Sequence, residues 1–366
     1  MAFFLGALNQ GGMESLMLNI CKHKDSAPFD FIVIYRKDGI LSDAFAETGV
    51  KLVKISRKSL PRYILDIRKT VKAEKLDVVH SQTPSNTMVL ALALLGMSSV
   101  RVVTTFHGFS FADSSWLMRK IVYHTSDRII CVSEYERQYY RDKWRIRGNG
   151  KLSVVYNGID FDRLDSGATW DLNLPATTAG PKLAMVGSFM SGRDQLCVVK
   201  ALAELKRTGT DDFDFYFIGR KIDSEPERYD DCVEECRKES LNNVHFLGGR
   251  SDVPAILHHI DGFVYCTEHD TFGMAVIEAM GAGLPVVVND WVVMKEVCSL
   301  DGEENPVMLF DSGSVKACAD AIEVFIDGMN SIKSRALEFV PKVRDKYSIH
   351  RHINNINEIY SQVLKK

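Results

Sequence analysis

The sequence has no long apolar segment. Its longest apolar run in 366 residues, Met88–Met97, is about half as long as a helix that crosses a bilayer. The first residues, MAFFLGALNQGG, are too few and lack the basic flank of a secretory signal. We therefore expect neither a transmembrane helix nor a signal peptide.

No charge of one sign dominates the sequence. The 45 Lys and Arg residues nearly balance the 48 Asp and Glu residues, and the net charge of −3 argues against a nucleic-acid partner. Basic residues are concentrated in two stretches, 57–75 and 119–151. Each stretch is consistent with peripheral contact with an anionic membrane and, equally, with an ordinary solvated helix face. Both interpretations stay open.

The sequence lacks the cysteine spacing of a zinc site. Of the eight cysteines only Cys232 and Cys236 are close, and no second close pair completes a metal-binding set. Others, such as Cys131 and Cys266, lie in apolar runs, where a reduced cysteine behaves as a small core residue. This usage fits a reducing compartment, so we expect a cytoplasmic protein.

Short apolar runs alternate with longer amphipathic segments along most of the chain. This alternation is typical of parallel sheets with crossover helices. It breaks down between Phe161 and Pro181, which we interpret as a linker, and restarts at Leu183. We predict an α/β protein with two Rossmann-like sheets in tandem. The segment Ile349–Leu364 predicts a last amphipathic helix.

Two turns of the first half carry residues suited to ligand binding. Doubly wound sheets bind ligands where strands end and helices begin, because helix N-termini offer free N–H groups and a partial positive charge. Gly11 and Gly12 let the backbone pass close to a bulky anion, although an ordinary tight turn is equally consistent. His107 follows another strand and is placed to face a cleft; the alternative is a loop histidine bonded to backbone.

The turn Gly187–Gln195 opens the second half. A strand ends there, small residues follow, and Arg193 stands at the start of a helix. Arginine is always charged and can bind phosphate oxygens in a bidentate manner. A solvated arginine is the alternative, which is disfavoured because a cation at a helix start opposes the helix dipole.

The segment Glu268–Val288 is the most informative. A helix of small apolar residues starts around Thr271–Phe272 and stops at Gly283. Glu278 lies within it, where a carboxylate costs free energy unless it has a partner. A pair of ligand hydroxyls is one such partner, and a structural salt bridge is the other. Asp270, in the loop before the helix, is expected to face the same cleft.

Together these turns resemble glycosyltransferase family 4, whose retaining enzymes adopt the GT-B fold of two Rossmann-like domains facing each other across a cleft. The resemblance covers nearly the whole chain and is most specific at Asp270–Gly283. The opening segment is similar to the bacterial capsule and exopolysaccharide branch. The family implies an acceptor domain at 1–165, a nucleotide-sugar donor domain at 166–346 and a final helix, 347–366, that crosses back to the first domain.

The resemblance also implies roles for individual residues. The family's two phosphate-binding cations correspond to Ser188 and Arg193, so one cation is missing and the other is changed. Its paired glutamates correspond to Asp270, facing the donor sugar, and Glu278, binding the nucleotide ribose. His107, Asp270, Glu278 and Arg193 are the implied catalytic residues. The implied donor-binding set is Gly11, Gly12, Gly187, Ser188, Phe246, Leu247, Thr271, Phe272, Gly273 and Met274, and the acceptor-binding pair is Met13 and Glu14.

The implied reaction moves a sugar, with retention, from a nucleotide-diphosphate sugar of the UDP type to a glycan or lipid-linked glycan acceptor. It builds surface polysaccharide at the cytoplasmic membrane face, with no cofactor and no metal. Asp212-Phe213-Asp214 has the Asp-x-Asp form of metal-dependent sugar transferases, but it precedes a strand, whereas ligand sites lie at the other end. We interpret it as an edge or turn feature.

Two other functions stay open. A sugar-nucleotide epimerase of the same fold would isomerise its nucleotide sugar without an acceptor. A non-catalytic relative that binds nucleotide or glycan is suggested by the departures at Ser188 and Asp270.

Overall fold

The computed structural model describes residues 1–9, 11–56, 59–146, 148, 150–300 and 307–365. Gln10 of the first glycine turn, and Arg57, Lys58 and Arg147 of the basic stretches, lie outside the described residues. Contacts divide the chain into two compact units. The first comprises Met1–Ile159 and Tyr347–Lys366, and the second Asp160–Lys346.

The first unit contains a seven-stranded parallel sheet with the order β3-β2-β1-β4-β5-β6-β7. Its strands are β1 (Ala2–Ala7), β2 (Ile32–Lys37), β3 (Leu52–Lys54), β4 (Val78–Ser81), β5 (Arg101–Thr105), β6 (Arg128–Cys131) and β7 (Leu152–Val154). Its helices are α1 (Gly12–Lys22), α2 (Ser42–Glu47), α3 (Leu60–Ala73), α4 (Pro84–Ala93), α5 (Trp116–Thr125), α6 (Glu134–Lys143) and α15 (Ile349–Leu364).

The second unit contains a six-stranded parallel sheet with the order β10-β9-β8-β11-β12-β13. Its strands are β8 (Lys182–Val186), β9 (Asp214–Ile218), β10 (Val244–Gly248), β11 (Gly262–Tyr265), β12 (Val286–Asn289) and β13 (Met308–Phe310). Its helices are α7 (Phe161–Ser166), α8 (Gln195–Thr208), α9 (Glu227–Lys238), α10 (Val253–His258), α11 (Met274–Gly281), α12 (Val292–Cys298), α13 (Val315–Asp327) and α14 (Met329–Tyr347).

Local sequence explains where several helices begin. Thr83, Ser115 and Ser133 stand immediately before α4, α5 and α6, and their hydroxyl oxygens accept hydrogen bonds from N–H groups of the first turn. Asp194 does the same for α8. Such caps satisfy N–H groups that have no partner within the helix.

The last helix, α15, packs in the core of the first unit. Its isoleucines recur every three or four residues, so they form one apolar face, which is buried with Phe3, Leu5 and Val33 of the sheet. A buried hydrogen bond of 2.6 Å joins His80 Nδ1 of β4 to the Tyr360 hydroxyl. His80 Nε2 is 2.7 Å from the Thr105 hydroxyl, so both ring nitrogens are engaged.

The structure corrects part of the sequence interpretation. Residues 161–181 were expected to be a linker, but they begin with α7, which Asp160 caps by accepting a hydrogen bond from the Arg163 N–H. Helices α2 and α12 were also missed. These helices have six or seven residues, and so short a segment shows little helical periodicity. None of the helices formed by the described residues combines the length and the hydropathy that a bilayer span requires.

Candidate active site

The candidate site lies where the strand order of the second sheet reverses. From β8 the chain adds strands on one side, β9 and β10, and then on the other, β11, β12 and β13. Neighbouring parallel strands β8 and β11 therefore send their following loops in opposite directions, which opens a crevice at their carboxyl ends. Arg193 comes from the loop after β8, and Asp270 from the loop after β11.

Arg193 is held in this crevice by Asp270 and Tyr265. Its Nη2 lies 3.2 Å from Asp270 Oδ2, and its guanidinium lies 5.5 Å from the centre of the Tyr265 ring. The arginine side chain is 24 % exposed and the aspartate 11 %, so the pair is only partly open to solvent. An arginine fixed in this way costs little further entropy when it binds an anion.

Asp270 is engaged by neighbouring groups at both carboxylate oxygens. Oδ1 accepts hydrogen bonds from the Thr271 N–H at 2.8 Å and the Phe272 N–H at 3.4 Å. Oδ2 accepts one from the Tyr265 hydroxyl at 2.8 Å, in addition to its contact with Arg193. The backbone N–H groups of Thr271 and Phe272, two residues of the expected donor-binding set, thus bind Asp270. The role of Asp270 toward a sugar stays a prediction.

Hydrogen bonds hold the loop after β8 in its fold and tie it to the loop after β11. The side-chain amide of Gln195 donates to the carbonyl oxygens of Gly187 and Ser188, at 3.1 and 3.3 Å. The Thr267 hydroxyl donates to the Gly192 carbonyl at 2.5 Å, and the Asp194 N–H donates to the Cys266 carbonyl at 3.1 Å. The crevice walls are therefore preformed by the protein's own contacts.

Helix α11 begins beside the Arg193–Asp270 pair. The sequence predicted its start at Thr271–Phe272, but the first helical residue is Met274. Gly273 adopts φ +81°, a left-handed conformation that ends the loop and admits the helix. A Cβ at Gly273 would lie 2.7 Å from the methyl of Met294, so the position is closely packed. The first N–H groups of α11 have no acceptor within the helix, which leaves a partial positive charge at this end.

Glu278 lies one turn into α11, in a pocket of its own. This pocket is lined by residues of two helices: Asp160, Arg163 and Leu164 of α7 and its cap, and Val253, Pro254 and Leu257 of α10. Burial raises the pKa of Glu278, and the charge of Arg163 partly opposes that rise. Within the described residues no hydrogen bond and no ion pair joins Glu278 to Arg193 or Asp270, so the structure leaves the expected shared cleft untested.

Phe246 and Leu247, expected to line a nucleotide base, lie in β10. The Phe246 ring stacks on Phe217 with 5.3 Å between the ring centroids. It also contacts the Tyr229 ring edge-on and the Phe189 ring at a tilt. Phe246 remains partly exposed, and Leu247 beside it is partly exposed as well. An aromatic cluster thus supports the end of β10.

In the first unit the strand order reverses between β1 and β4; the glycine turn follows β1, and His107 follows β5, the neighbour of β4. Gly11 caps α1 in an extended conformation, and Gly12, Met13 and Glu14 form the first turn. His107 follows β5, and its Nε2 lies 3.0 Å from the Gln82 Oε1. Burial lowers the pKa of His107 to about 3, so the neutral ring donates its Nε2 proton to that oxygen.

The Asp-x-Asp sequence has a structural role. Asp214 is fully buried at the start of β9 and accepts hydrogen bonds from the N–H groups of Thr177 and Thr178 and from His245. Burial would raise the pKa of Asp214, but these hydrogen bonds outweigh it and lower the pKa to about 2. The carboxylate fastens the segment before β8 to the sheet, at the end opposite to the crevice.

Two family models match the chain, one on each unit. The description "Glycosyltransferase Family 4" matches residues 10–163, and "Glycosyl transferases group 1" matches residues 180–327. The chain belongs to glycosyltransferase family 4. It is therefore a glycosyltransferase, and the predicted family is confirmed.

Relatives of this glycosyltransferase match it over nearly their full lengths. The UDP-Gal:alpha-D-GlcNAc-diphosphoundecaprenol alpha-1,3-galactosyltransferase of Escherichia coli is 24 % identical, over 92 % of this chain and 93 % of the relative. The GDP-mannose:cellobiosyl-diphosphopolyprenol alpha-mannosyltransferase of Xanthomonas oryzae pv. oryzae is 20 % identical, over 95 % and 93 %.

Solved structures confirm the GT-B fold of the glycosyltransferase. Anabaena HepE in complex with UDP and glucose gives a TM-score of 0.82 at 17 % identity, over 99 % of both chains. A glycosyltransferase from Rickettsia africae gives 0.82 at 20 % identity, over 100 % of this chain and 99 % of the other. The two Rossmann-like units described above are thus the two domains of this fold.

Sequence reasoning missed several residues that shape the glycosyltransferase site. Gln195 holds the loop after β8 in its fold, Thr267 joins that loop to the one after β11, and Tyr265 contacts both Arg193 and Asp270. Asn289, at the end of β12, accepts from the Thr267 N–H and donates to the Thr267 carbonyl, and the Trp291 indole N–H donates to the Asp270 carbonyl at 2.8 Å. The signal available for Asn289 was its position directly after the apolar run Val286–Val288, because an apolar run of this kind predicts a strand.

Proposed function

We propose that this glycosyltransferase moves a sugar from a UDP-sugar, with retention at the anomeric carbon, to a glycan or lipid-linked glycan acceptor in surface polysaccharide synthesis. The observation that carries the proposal is the preformed Arg193–Asp270 pair at the reversal of strand order, beside the first turn of α11. The E. coli and Xanthomonas relatives, whose names specify alpha-linked products on polyprenol diphosphates, support the acceptor class.

In the proposed donor complex the diphosphate binds Arg193 and the free N–H groups at the start of α11. Both are positive, and both are fixed before the donor arrives, so they stabilise the charge that develops as the nucleotide leaves. Gly187 has no side chain and Ser188 has a small one, which lets phosphate oxygens approach the backbone of the same loop. No side chain is required as a nucleophile. The positive charge comes from the protein, so we expect that added Mg²⁺ or Mn²⁺ does not accelerate the reaction.

The pocket around Glu278 is the proposed ribose site. A carboxylate there can accept hydrogen bonds from both ribose hydroxyls, and such a partner offsets the unfavourable burial that raises its pKa. Phe246 and Leu247 are proposed to line the base, and Asp270 and His107 to contact the donor sugar. Met13 and Glu14 are proposed to contact the acceptor, with Gly11 and Gly12 leaving room for the diphosphate.

Incubation of the purified protein with UDP-, GDP- and TDP-sugars tests this proposal. We expect UDP-sugars to raise the melting temperature and to be slowly hydrolysed in the absence of acceptor. If GDP-sugars raised the melting temperature more than UDP-sugars, guanine would replace uracil as the proposed base. If no nucleotide sugar raised the melting temperature or was hydrolysed, the proposed donor site would be contradicted. Chromatography of the same reactions separates the epimerase alternative, which yields an isomerised UDP-sugar.

A surface of the first unit supports peripheral contact with the cytoplasmic face of an anionic membrane. At the start of α5, Trp116, Leu117 and Met118 are 67 %, 59 % and 41 % exposed. The Lys120 ammonium lies 4.1 Å from the Trp116 ring centre, and Arg119 adds a second cation on the same helix. Exposed apolar groups next to basic ones suit the boundary between lipid headgroups and acyl chains.

Co-sedimentation with vesicles of phosphatidylglycerol and phosphatidylethanolamine tests this contact. We expect Trp116→Ala and Lys120→Glu each to release the protein, and salt to weaken binding of the wild type. Trp170→Ala and Lys200→Glu are matched controls, since both residues are exposed in the second unit. Equal binding of Trp116→Ala and Trp170→Ala would contradict the proposed surface.

A further inference from the structure

Three buried cysteines of the second unit converge next to the loop that carries Arg193. Cys197 lies in the first turn of α8, Cys266 directly follows β11, and Cys318 lies in α13. The sulfur atoms of Cys197 and Cys266 lie within 4.8 Å of each other, and the Cys318 side chain also interacts electrostatically with that of Cys197. The three residues are 5 %, 1 % and 0 % exposed. Separate elements, far apart in sequence, thus bring their sulfur atoms together.

The carboxylate of Asp194 belongs to the same group. One carboxylate oxygen and the sulfur atoms of Cys197 and Cys266 all lie within 4.8 Å of one another. Asp194 Oδ1 accepts a hydrogen bond from the Cys197 N–H at 3.1 Å, and no hydrogen bond reaches Oδ2 from the described part of the chain. The second oxygen is therefore available to a ligand.

We infer that Asp194, Cys197 and Cys266 form the centre of a binding site for one thiophilic divalent cation of the zinc class, with Cys318 as the candidate fourth ligand. These three residues supply two thiolates and one carboxylate oxygen, and the Cys318 thiolate would complete the four-coordinate set of a structural zinc site. Zinc–sulfur bonds of about 2.3 Å in a tetrahedron place sulfur atoms about 3.8 Å apart. The ligand atoms of Asp194, Cys197 and Cys266 already lie within 4.8 Å of one another, so rotation of their side chains would bring them to this spacing around a cation. The N-terminus of α8 contributes partial positive charge that favours the anionic ligands.

An ordinary apolar core explains the other buried cysteines but not this group. Cys298 is buried at the end of α12 and belongs to no comparable set of ligand atoms among the described residues. Here a carboxylate lies among thiols, and the spacing from Asp194 to Cys197 is that of adjacent ligands in many zinc sites. The cation would tie α8 to the end of β11 and to α13, and so fix the two loops that hold Arg193 and Asp270.

Metal analysis of the full chain, purified from zinc-supplemented culture without chelator, tests the inference. We expect about one zinc per chain, and after exchange with Cd²⁺ the ultraviolet charge-transfer absorption of cadmium–thiolate bonds. Cys197→Ser and Cys266→Ser should abolish both signals. Asp194→Asn retains a good helix cap, so it should fold normally and bind Cd²⁺ about tenfold or more weakly.

Two variants separate this site from other thiols. Cys298→Ser should leave the metal content and the absorption unchanged. Cys232 and Cys236, one turn apart in α9, are the rival thiol pair, and Cys232→Ser should also change nothing. Absence of metal and of the cadmium absorption in the wild type would overturn the inference. So would signals that persist in Cys197→Ser and Asp194→Asn, or that disappear in Cys232→Ser, with circular dichroism showing that each variant is folded.

Discussion

At the scale of single residues, Arg193 and Asp270 form an ion pair. A diphosphate can replace Asp270 as the partner of Arg193 without leaving the buried carboxylate unpaired. If Arg193 turns toward phosphate, Asp270 keeps the Tyr265 hydroxyl and the Thr271 and Phe272 N–H groups as donors. An aspartate held by Arg193 alone would lose its only partner, which is costly in a partly buried site. The short side chain of Asp270 suits this local network.

Gly273→Ala tests the packing at the start of α11. We expect the substitution to lower the free energy of unfolding and to reduce nucleotide affinity. Its Cβ would meet the Met294 methyl at 2.7 Å and Asp270 Oδ2 at 3.7 Å, in addition to the strain of φ +81°. Left-handed strain alone costs on the order of 1–2 kcal/mol for a residue with a Cβ. Chemical denaturation and UDP titration measure the two effects.

Gly209→Ala is the matched control for that substitution. Gly209 has φ +89°, and nothing lies within 4 Å of a Cβ built on it. It should therefore show the backbone strain alone and leave UDP affinity unchanged. Equal effects of the two substitutions on affinity and stability would show that packing at Gly273 has no part in the site.

Glu278→Gln tests the ribose site through its pH dependence. Burial raises the pKa of Glu278, so its charged form is less favourable in the folded chain than in the unfolded one. Removal of the charge should therefore increase the stability of the nucleotide-free protein at neutral pH. Ribose hydroxyls need the carboxylate as acceptor, so wild-type UDP affinity should fall as pH drops through the raised pKa. The glutamine variant should bind weakly with a flatter pH profile.

Calorimetric titrations with UDP between pH 5 and pH 8 would measure this effect. Glu234→Gln is the control, because Glu234 is an exposed residue of α9 paired with Arg237. Unchanged affinity in Glu278→Gln at neutral pH would rule out the proposed ribose contact.

At the scale of elements, α11 shows what the sequence could and could not predict. The small apolar residues from Met274 to Gly281 predicted a buried helix, and the strand before it predicted the crevice edge. The start of α11 was predicted too early because the sequence gives no sign that Thr271 and Phe272 lie outside the helix. Gly273 interrupts the segment with a left-handed conformation, which is evident only from its packing against Met294 in the structure.

The loops show the same division between local and tertiary information. The sequence identified Arg193 and Asp270 because each follows a strand and belongs to a family pattern. It did not reveal that they touch, because the contact depends on the order β8-β11 in the sheet. The role of Gln195 was not evident from the sequence, since its bonds to Gly187 and Ser188 exist only once the loop is folded back. The cysteine group was missed for the same reason.

Tyr360→Phe tests how α15 is attached to the sheet of the first unit. The substitution leaves His80 Nδ1 without its 2.6 Å hydrogen bond in a fully buried position. We expect a loss of about 1–3 kcal/mol in the free energy of unfolding, the usual cost of an unsatisfied buried polar group. Denaturant unfolding measures it.

Tyr229→Phe is the control for the attachment of α15. The Tyr229 ring packs on Phe189 and Phe246, but its hydroxyl makes no hydrogen bond within the described residues. This variant should be close to neutral. Equal stability of Tyr360→Phe and the wild type would show that apolar packing alone attaches the helix.

At the scale of the whole molecule, two parallel sheets each reverse their strand order once, and most of the expected ligand residues follow strands near a reversal; Phe246 and Leu247, which lie in β10, are exceptions. The alternation of apolar runs predicted this architecture, which the structural relatives confirm. The short helix α7 was hidden because composition alone marked residues 161–181 as irregular. The relatives share only about 20 % identity with this chain over almost its whole length. Such low identity fits a fold that depends mainly on the pattern of apolar and polar residues, while few positions require a particular residue.

The most direct measurement of the central claim is the melting temperature with and without UDP in the wild type, Arg193→Ala and Arg207→Ala. Arg207 pairs with Glu239 on the surface of the same unit, so its loss should cost little stability. We predict that UDP raises the melting temperature of the wild type and of Arg207→Ala and leaves that of Arg193→Ala unchanged. A similar rise in Arg193→Ala, or no rise in the wild type, would contradict a donor site centred on the Arg193–Asp270 pair.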